Sequence, residues 1–254
     1  MCADVAGKTR LSGLRQTGST KLVFPHQMRD EAEVILVNTA GGITGGDRYD
    51  LDISVEEGAG LTLTTQAAER AYRAQSGEVA QVENRLVVRS GARMNWLPQE
   101  LILFDCCALQ RRLDISLEDG ATLVMVEPIV FGRAAMSEQL HNVNFQDRIK
   151  ITRNSRPLYI DGMTLSGDAA AHLSHPAVAN GAGAMASVVL VAPDAAAHLD
   201  ALRAMLPDTA GASMLHEDVL VIRQLAADSY ELRRSLVPAL ERLTQNNLPT
   251  SWRL

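Results

Sequence analysis

One unit recurs in this chain, and the recurrence limits what it can fold into. Asp52-Ile53-Ser54-Val55-Glu56-Glu57-Gly58-Ala59-Gly60-Leu61-Thr62-Leu63 returns as Asp114-Ile115-Ser116-Leu117-Glu118-Asp119-Gly120-Ala121-Thr122-Leu123-Val124-Met125. A looser copy, Leu86-Val87-Val88-Arg89-Ser90-Gly91-Ala92-Arg93-Met94-Asn95-Trp96, lies between them. Each copy reads as a strand, a tight turn with glycine just past its centre, and a second strand. Glu57-Gly58, Ser90-Gly91 and Asp119-Gly120 supply the positive φ that hairpin turns demand. A unit of this size cannot bury its apolar face alone, so the copies must stack, as a two-layer β sandwich or a solenoid-like β stack. The expected fold is mainly β, stacked β-hairpin layers in a two-layer, β-helix-like arrangement with a few C-terminal α-helices. Alternation sorts the side chains: Leu51, Ile53 and Val55 face one way, Asp50, Asp52 and Ser54 the other. Arg112 to Leu117 does the same, and most such acids read as the solvated face of a half-buried sheet.

A glycine-rich stretch, Gly41-Gly42-Ile43-Thr44-Gly45-Gly46-Asp47-Arg48, joins two segments that also read as strands, Glu33–Asn38 and Tyr49–Val55. It is not a Walker A loop, because Asp47 and Arg48 stand where Lys and Ser/Thr are needed. It is not a dinucleotide fingerprint either, because period 2 rather than a helix follows. Gly41, Gly42, Gly45 and Gly46 therefore read as a structural turn in which the backbone visits positive φ or packs against another segment.

The remaining chain reads as one domain, 1–254, with 1–20 loosely held and 193–254 a helix-containing C-terminal cap. Strands are expected over 145–153 and 157–164, the second closing at the turn pair Asp161-Gly162. Residues 134–138 read as a turn or short helix, and the Ala/Gly/His-rich 169–186 as a loop. Asp194 can cap a helix bearing Leu199, Leu202 and Met205; Asp228 and Glu231 have the spacing of a capping box before Leu232, Leu236, Leu240 and Leu243. Pro238 should kink that helix or mark its first turn. The net charge of −6 and pI near 5.5 argue against nucleic acid as partner. No apolar run approaches the roughly 20 residues of a membrane span, and no apolar stretch follows the charged start as in a signal peptide. Three cysteines, Cys2 and the adjacent Cys106 and Cys107, suit a reduced, cytoplasmic setting.

Catalytic motifs are missing: there is no Gly-x-Ser-x-Gly elbow and no His-Glu-x-x-His, so the expectation is a non-enzyme with no tightly bound cofactor. His172 and His175 have a ligand-like spacing without a second pair nearby. On a strand Cys106 and Cys107 would point to opposite faces, leaving one as inert core. Four acids beside glycines or aromatics, Asp47, Glu69, Glu127 and Asp161, could line a wet internal path and pass a divalent cation along without trapping it. The other reading of each is a turn-stabilising Asp or a surface Glu.

Ordered motifs then carry a resemblance. Phe24-Pro25-His26, Val37-Asn38-Thr39-Ala40 running into the glycine stretch, Leu63–Arg73, Trp96-Leu97-Pro98-Gln99-Glu100 and Leu103-Phe104-Asp105 resemble the urease accessory protein D family (UreD, or UreH). Phe131-Gly132-Arg133-Ala134-Ala135-Met136-Ser137-Glu138 and Leu248-Pro249-Thr250-Ser251-Trp252 continue the series nearly end to end. The chain departs at Pro249-Thr250, where the family usually has Pro-Arg. The resemblance implies a non-enzymatic chaperone that assembles with accessory proteins F and G and docks on apo-urease. It also implies a stacked β fold with a tunnel for Ni²⁺ in transit, Arg133 and Glu138 standing at a mouth or interface. A pure assembly scaffold and a β-scaffold hydrolase are the alternatives.

Overall fold

The repeat is wound into the coils of a two-sheet β-solenoid in the computed structural model, which describes residues 1–5, 7–25 and 30–253. His26 of the Phe24-Pro25-His26 stretch lies outside the described residues. In chain order the strands of the first half are β1 Cys2–Val5, β2 Lys8–Leu11, β3 Thr20–Val23, β4 Ala32–Asn38, β5 Arg48–Val55, β6 Gly60–Thr65, β7 Glu69–Ala71, β8 Ala80–Val88, β9 Arg93–Leu97 and β10 Leu101–Leu103. Then come β11 Ala108–Leu117, β12 Thr122–Phe131, β13 Val143–Arg153, β14 Arg156–Gly167, α1 Ala169–Ser174, β15 Ala184–Val191, α2 Ala195–Met205, β16 Ala210–His216, β17 Val219–Ala226 and α3 Ser229–Leu243. The first sheet has the order β14-β13-β11-β8-β5-β1-β2, and the second β16-β17-β15-β12-β9-β6-β4-β3. Within them β5, β8, β11 and β13 run parallel, as do β4, β6, β9 and β12. Short β7 and β10, with the end of β12, stack in parallel along a third, return side.

The stacked two-layer architecture is the one expected, but its repeated turns are not hairpins. β5 pairs with β8 rather than with β6, so the turn at Gly58 carries the chain from one sheet to the other. Gly58, Gly91 and Gly120 have φ of +70°, +64° and +71°, a conformation costly to residues with a Cβ. A two-residue hairpin does occur at Asn154-Ser155, both with positive φ, and there β14 turns back antiparallel on β13. Asp161-Gly162 lies inside β14, paired with Ile149 and Arg148, instead of ending it. The start of the chain is also more ordered than expected, since β1 and β2 form an antiparallel pair on the edge of the first sheet.

Inward side chains of both sheets make the core, with Val55, Leu86, Val88, Met94, Ile115, Leu117, Leu123, Met125 and Ile151 almost fully buried. The outer face of the first sheet is solvated by charge pairs such as Arg48–Asp50 and Arg112–Asp114. The outer face of the second sheet is apolar, with Leu97, Val124, Val126, Val188 and Leu190, and must be covered. The helices therefore lie along that face rather than across an open end: Leu202 of α2 and Leu232, Leu236 and Leu240 of α3 pack there. Trp252 follows, its Nε1–H donating to Leu97 O at 2.9 Å. Asp228 caps α3 by accepting the Glu231 N–H at 2.9 Å, and Pro238 lies within the helix. Asp194 makes no side-chain cap; its carboxylate lies 3.5 Å from His198 Nε2. The segment read as a loop holds α1, capped by Asp168 on Ala171 N–H, and the start of β15. Among the described residues no helix is long and apolar enough to cross a membrane.

Burial of this kind sets the stability scale. Leu117→Ala, which opens a cavity between coils, should cost about 2–5 kcal/mol. Ile160→Ala on exposed β14 should stay within about 0.5 kcal/mol. Chemical denaturation of the two variants measures the difference.

Candidate functional site

Alternation along three strands sends charge into the core. Arg111 on β11 is in phase with buried Leu109, Leu113 and Ile115; Asp147 on β13 is in phase with Phe145, Ile149 and Ile151. Glu127 projects from β12 beside Trp96 of β9. The parallel register sets Arg111 directly opposite Asp147, so its guanidinium forms a bidentate pair there, Nε–Oδ1 2.9 Å and Nη2–Oδ2 2.5 Å. Its third nitrogen, Nη1, lies 2.6 Å from Glu127 Oε2, and Trp96 Nε1–H donates to Glu127 Oε1 at 2.6 Å. Glu127 is 4 % exposed and Asp147 5 %.

One guanidinium thus serves two buried carboxylates, leaving one negative charge in excess when both are ionised. Burial drives the Glu127 pKa up, outweighing the opposing pull of Arg111, and the charge of Asp147 adds to the rise. Burial works against the Arg111 cation, yet Asp147 and then Glu127 hold it firmly protonated, above its ordinary value.

Two small cavities meet at Glu127. One of about 100 Å³ is lined by Asn38, Tyr49, Glu69, Trp96, Arg111 and Glu127. The other, of about 10 Å³, is lined by Glu127, Asp147, Asp161, Ser187 and Arg223. The first has room for several waters and the second for about one. Glu69 accepts from Asn38 Nδ2 at 3.1 Å and from the Arg70 N–H at 3.0 Å, and burial raises its pKa. Asp161 accepts from Tyr159 Oη at 2.9 Å and from Arg223 Nη2 at 2.5 Å. Burial first, then the charge of Asp161, pushes the Tyr159 phenol up to about 12.

Of the four acids singled out in the sequence, Glu69 and Glu127 therefore line the first cavity, and Glu127 and Asp161 the second. Asp47 does not join them. Its Oδ2 accepts the Thr44 N–H at 2.9 Å, which closes its own turn, and it walls neither cavity. The turn it closes, with Gly41, Gly45 and Gly46, brings Gly42 against Tyr72: a Cβ on Gly42 would sit 2.2 Å from the ring. Arg133 and Glu138 form a bidentate pair, 2.8 Å on both arms, at the surface of the return side. Cys107 is buried core, burial pushing its thiol up to about 12. Cys106 sits in a turn at φ 64° with its Sγ–H on Asp105, so the pair does not lie along a strand. His172 and His175 are exposed, and among the described residues no group of three His, Cys, Asp or Glu is placed to hold a metal ion. Sequence reasoning missed Arg111, Asp147 and Trp96, although the phase of Arg111 with Leu109 and Leu113 was a usable signal.

A model of the family described as UreD urease accessory protein matches residues 2–253. A urease accessory protein UreD of Ruegeria pomeroyi is 55% identical over 95% of this chain and 94% of its own length. One of Roseobacter denitrificans is 51% identical over 98% of this chain and 91% of its own. One of Brucella suis is 42% identical over 97% and 89% respectively.

Removing the shared cation should expose the cluster's energetics. Arg111→Gln leaves two buried carboxylates unpaired and should cost about 3–5 kcal/mol at pH 7. A carboxyl whose folded pKa is raised binds more protons folded than unfolded, so its contribution is present below about 4.3 and lost as pH rises through the raised value. The gap between variant and parent should narrow as pH falls from 8 to 5, read from denaturation midpoints. A gap independent of pH would refute this account.

Proposed function

The chain belongs to the UreD urease accessory protein family, and on that footing we propose that it is a non-catalytic chaperone for nickel insertion into apo-urease. In this reading it works in a complex with accessory proteins F and G, and Ni²⁺ is cargo in transit rather than a resident cofactor. The observation that carries the reading is the seam between the sheets: Glu69, Glu127 and Asp161 line adjoining cavities, with Glu127 common to both. A divalent cation in such a space needs oxygen ligands that hold it weakly enough to let it leave. Spaced single carboxylates suit transit better than a Cys/His cage, which would retain nickel. When Glu127 and Asp147 are both ionised, the charge that Arg111 leaves uncompensated is the local negative charge that draws a cation inward.

A second reading, an assembly scaffold with no metal path, draws support from Arg111, whose guanidinium stands between Glu127 and Asp147 where a cation would pass. The two separate experimentally. Glu127→Gln and Asp161→Asn should leave the complex with F, G and apo-urease assembled. Each should lower nickel-dependent urease activation about tenfold, the effect of one lost ionic contact of about 1.4 kcal/mol. Wild-type activation by the double variant would leave the scaffold reading standing. Asp47→Ala should instead lower the melting temperature, with activation per folded molecule unchanged.

A further inference from the structure

The return side carries a rigid surface built from one group per coil. Gly42 leaves room for the Tyr72 ring, and Tyr72 Oη–H donates to Gly41 O at 3.2 Å. The Tyr72 ring meets Phe104 of the next coil edge to face, centroids 5.0 Å apart. The Arg133 guanidinium of the coil after that stacks on Phe104, 4.3 Å from its centroid, and Glu138 holds it there through both oxygens. Backbone bonds tie the same levels together: Tyr72 N–H to Ile43 O at 2.7 Å, Phe104 N–H to Ala71 O at 3.0 Å, Gly132 N–H to Leu103 O at 2.9 Å.

Fixing four side chains in this way costs conformational freedom that a surface meeting only water has no need to give up. Tyr72 remains 37 % exposed, and Met136, in the turn between Arg133 and Glu138, is 68 % exposed. Arg, Tyr and Met are the residue types enriched at interface cores, and side chains already held in place lose little entropy on binding. The charge is also specific. On a chain of net −6 this face presents Arg70 and Arg73 beside the Arg133–Glu138 pair. Three acids near them are turned to internal partners, Asp105 to Asn142 N–H and Cys106, Glu138 to Arg133 and Glu69 to Asn38, while Glu78 stays exposed beside Gly45. Among the described residues no carboxylate forms an ion pair with Arg70 or Arg73.

We propose that this ladder, Gly42–Tyr72–Phe104–Arg133 with Met136 and the exposed Arg70 and Arg73, is the docking surface for a carboxylate-bearing segment of the urease apoprotein. Complementarity selects an acidic occupant with an apolar residue to cover Met136 and Tyr72. Asn38 donates to Gly42 O at 3.0 Å and to Glu69, so the base of the ladder is fastened to the wall of the larger cavity. The proposal rests on the urease-accessory reading and on no metal path.

The test is binding of metal-free urease apoprotein, with no nickel added, to the full chain in complex with its accessory partners. Arg73→Glu and Met136→Asp should each weaken binding about tenfold or more with melting temperature unchanged, and the parent's binding should weaken with salt. Arg156→Glu, an exposed position on β14, should bind within about twofold of the parent. Parent-like binding by both ladder variants, equal loss in the Arg156 control, or loss of an accessory protein while urease binding persists would each overturn it. Because activation is not read, none of these outcomes bears on the carboxylate seam.

Discussion

Register between coils is the constraint on which everything else here depends. At each corner the same bonds recur. Arg89 N–H reaches back to Val55 O at 2.9 Å, and Glu118 N–H to Val88 O at 2.9 Å. Ala59, Ala92 and Ala121 close the turn on Glu56 O, Arg89 O and Glu118 O. Strands entering such corners cannot slide. A slip of one residue would invert every side chain, moving Val88, Ile115 and Leu117 to solvent and Arg111 and Asp147 out of contact with Glu127. The parallel register that buries the aliphatic core is the same one that brings a charged trio together inside it.

That trio would not be retained for stability alone. Taking a guanidinium and two carboxylates out of water costs several kcal/mol per ion, and excellent geometry recovers it only in part. Apolar side chains of similar volume at Arg111, Glu127 and Asp147 would pack the neighbouring Leu109, Ile129 and Phe145 at least as well. What they could not do is set ionisable groups on the walls of the two cavities between the sheets. Trp96 divides in the same way: its ring is core, while its N–H donates to Glu127.

Much of this was legible in the sequence, and the failures have physical reasons. The repeat and its corner glycines specified stacked two-strand layers because positive φ at Gly58, Gly91 and Gly120 is a local requirement that a sequence shows directly. Whether such a turn joins neighbours in one sheet or crosses between sheets is decided by the next coil, so hairpins were expected where arches stand. The capping pair Asp228 and Glu231 was readable because its hydrogen bond spans three residues. Placing the helices was not, because that depends on which sheet face is left apolar. Glu69, Glu127 and Asp161 stood out by their neighbours. Arg111 and Asp147 drew less notice, since alternation marks a face as inward only once one assumes that charge can occupy it. Asp47 shows the converse: its three-residue reach to Thr44 N–H consumes an acid that its glycine neighbours made conspicuous.

The distribution of surface types narrows where this molecule can meet another. The first sheet's outer face is laced with pairs such as Arg85–Asp52 and Arg89–Glu118, which are half exposed, well hydrated and costly to strip of water for little gain. The second sheet's outer face is filled by α2, α3 and Trp252 over β9, β12, β15 and β17. A partner is left the return side and the ends of the stack, where β4 and β3 finish the second sheet. The N-terminal end bears Met1, Leu11, Leu14 and Phe24, each more than a third exposed, around a groove that reaches Leu51 and Leu63. There the apolar residues come from short edge strands and the segments beside them, whereas on the return side each ring is fixed by the coil before it. A surface whose geometry is set by the solenoid's own repeat can recognise a partner without being reshaped by it.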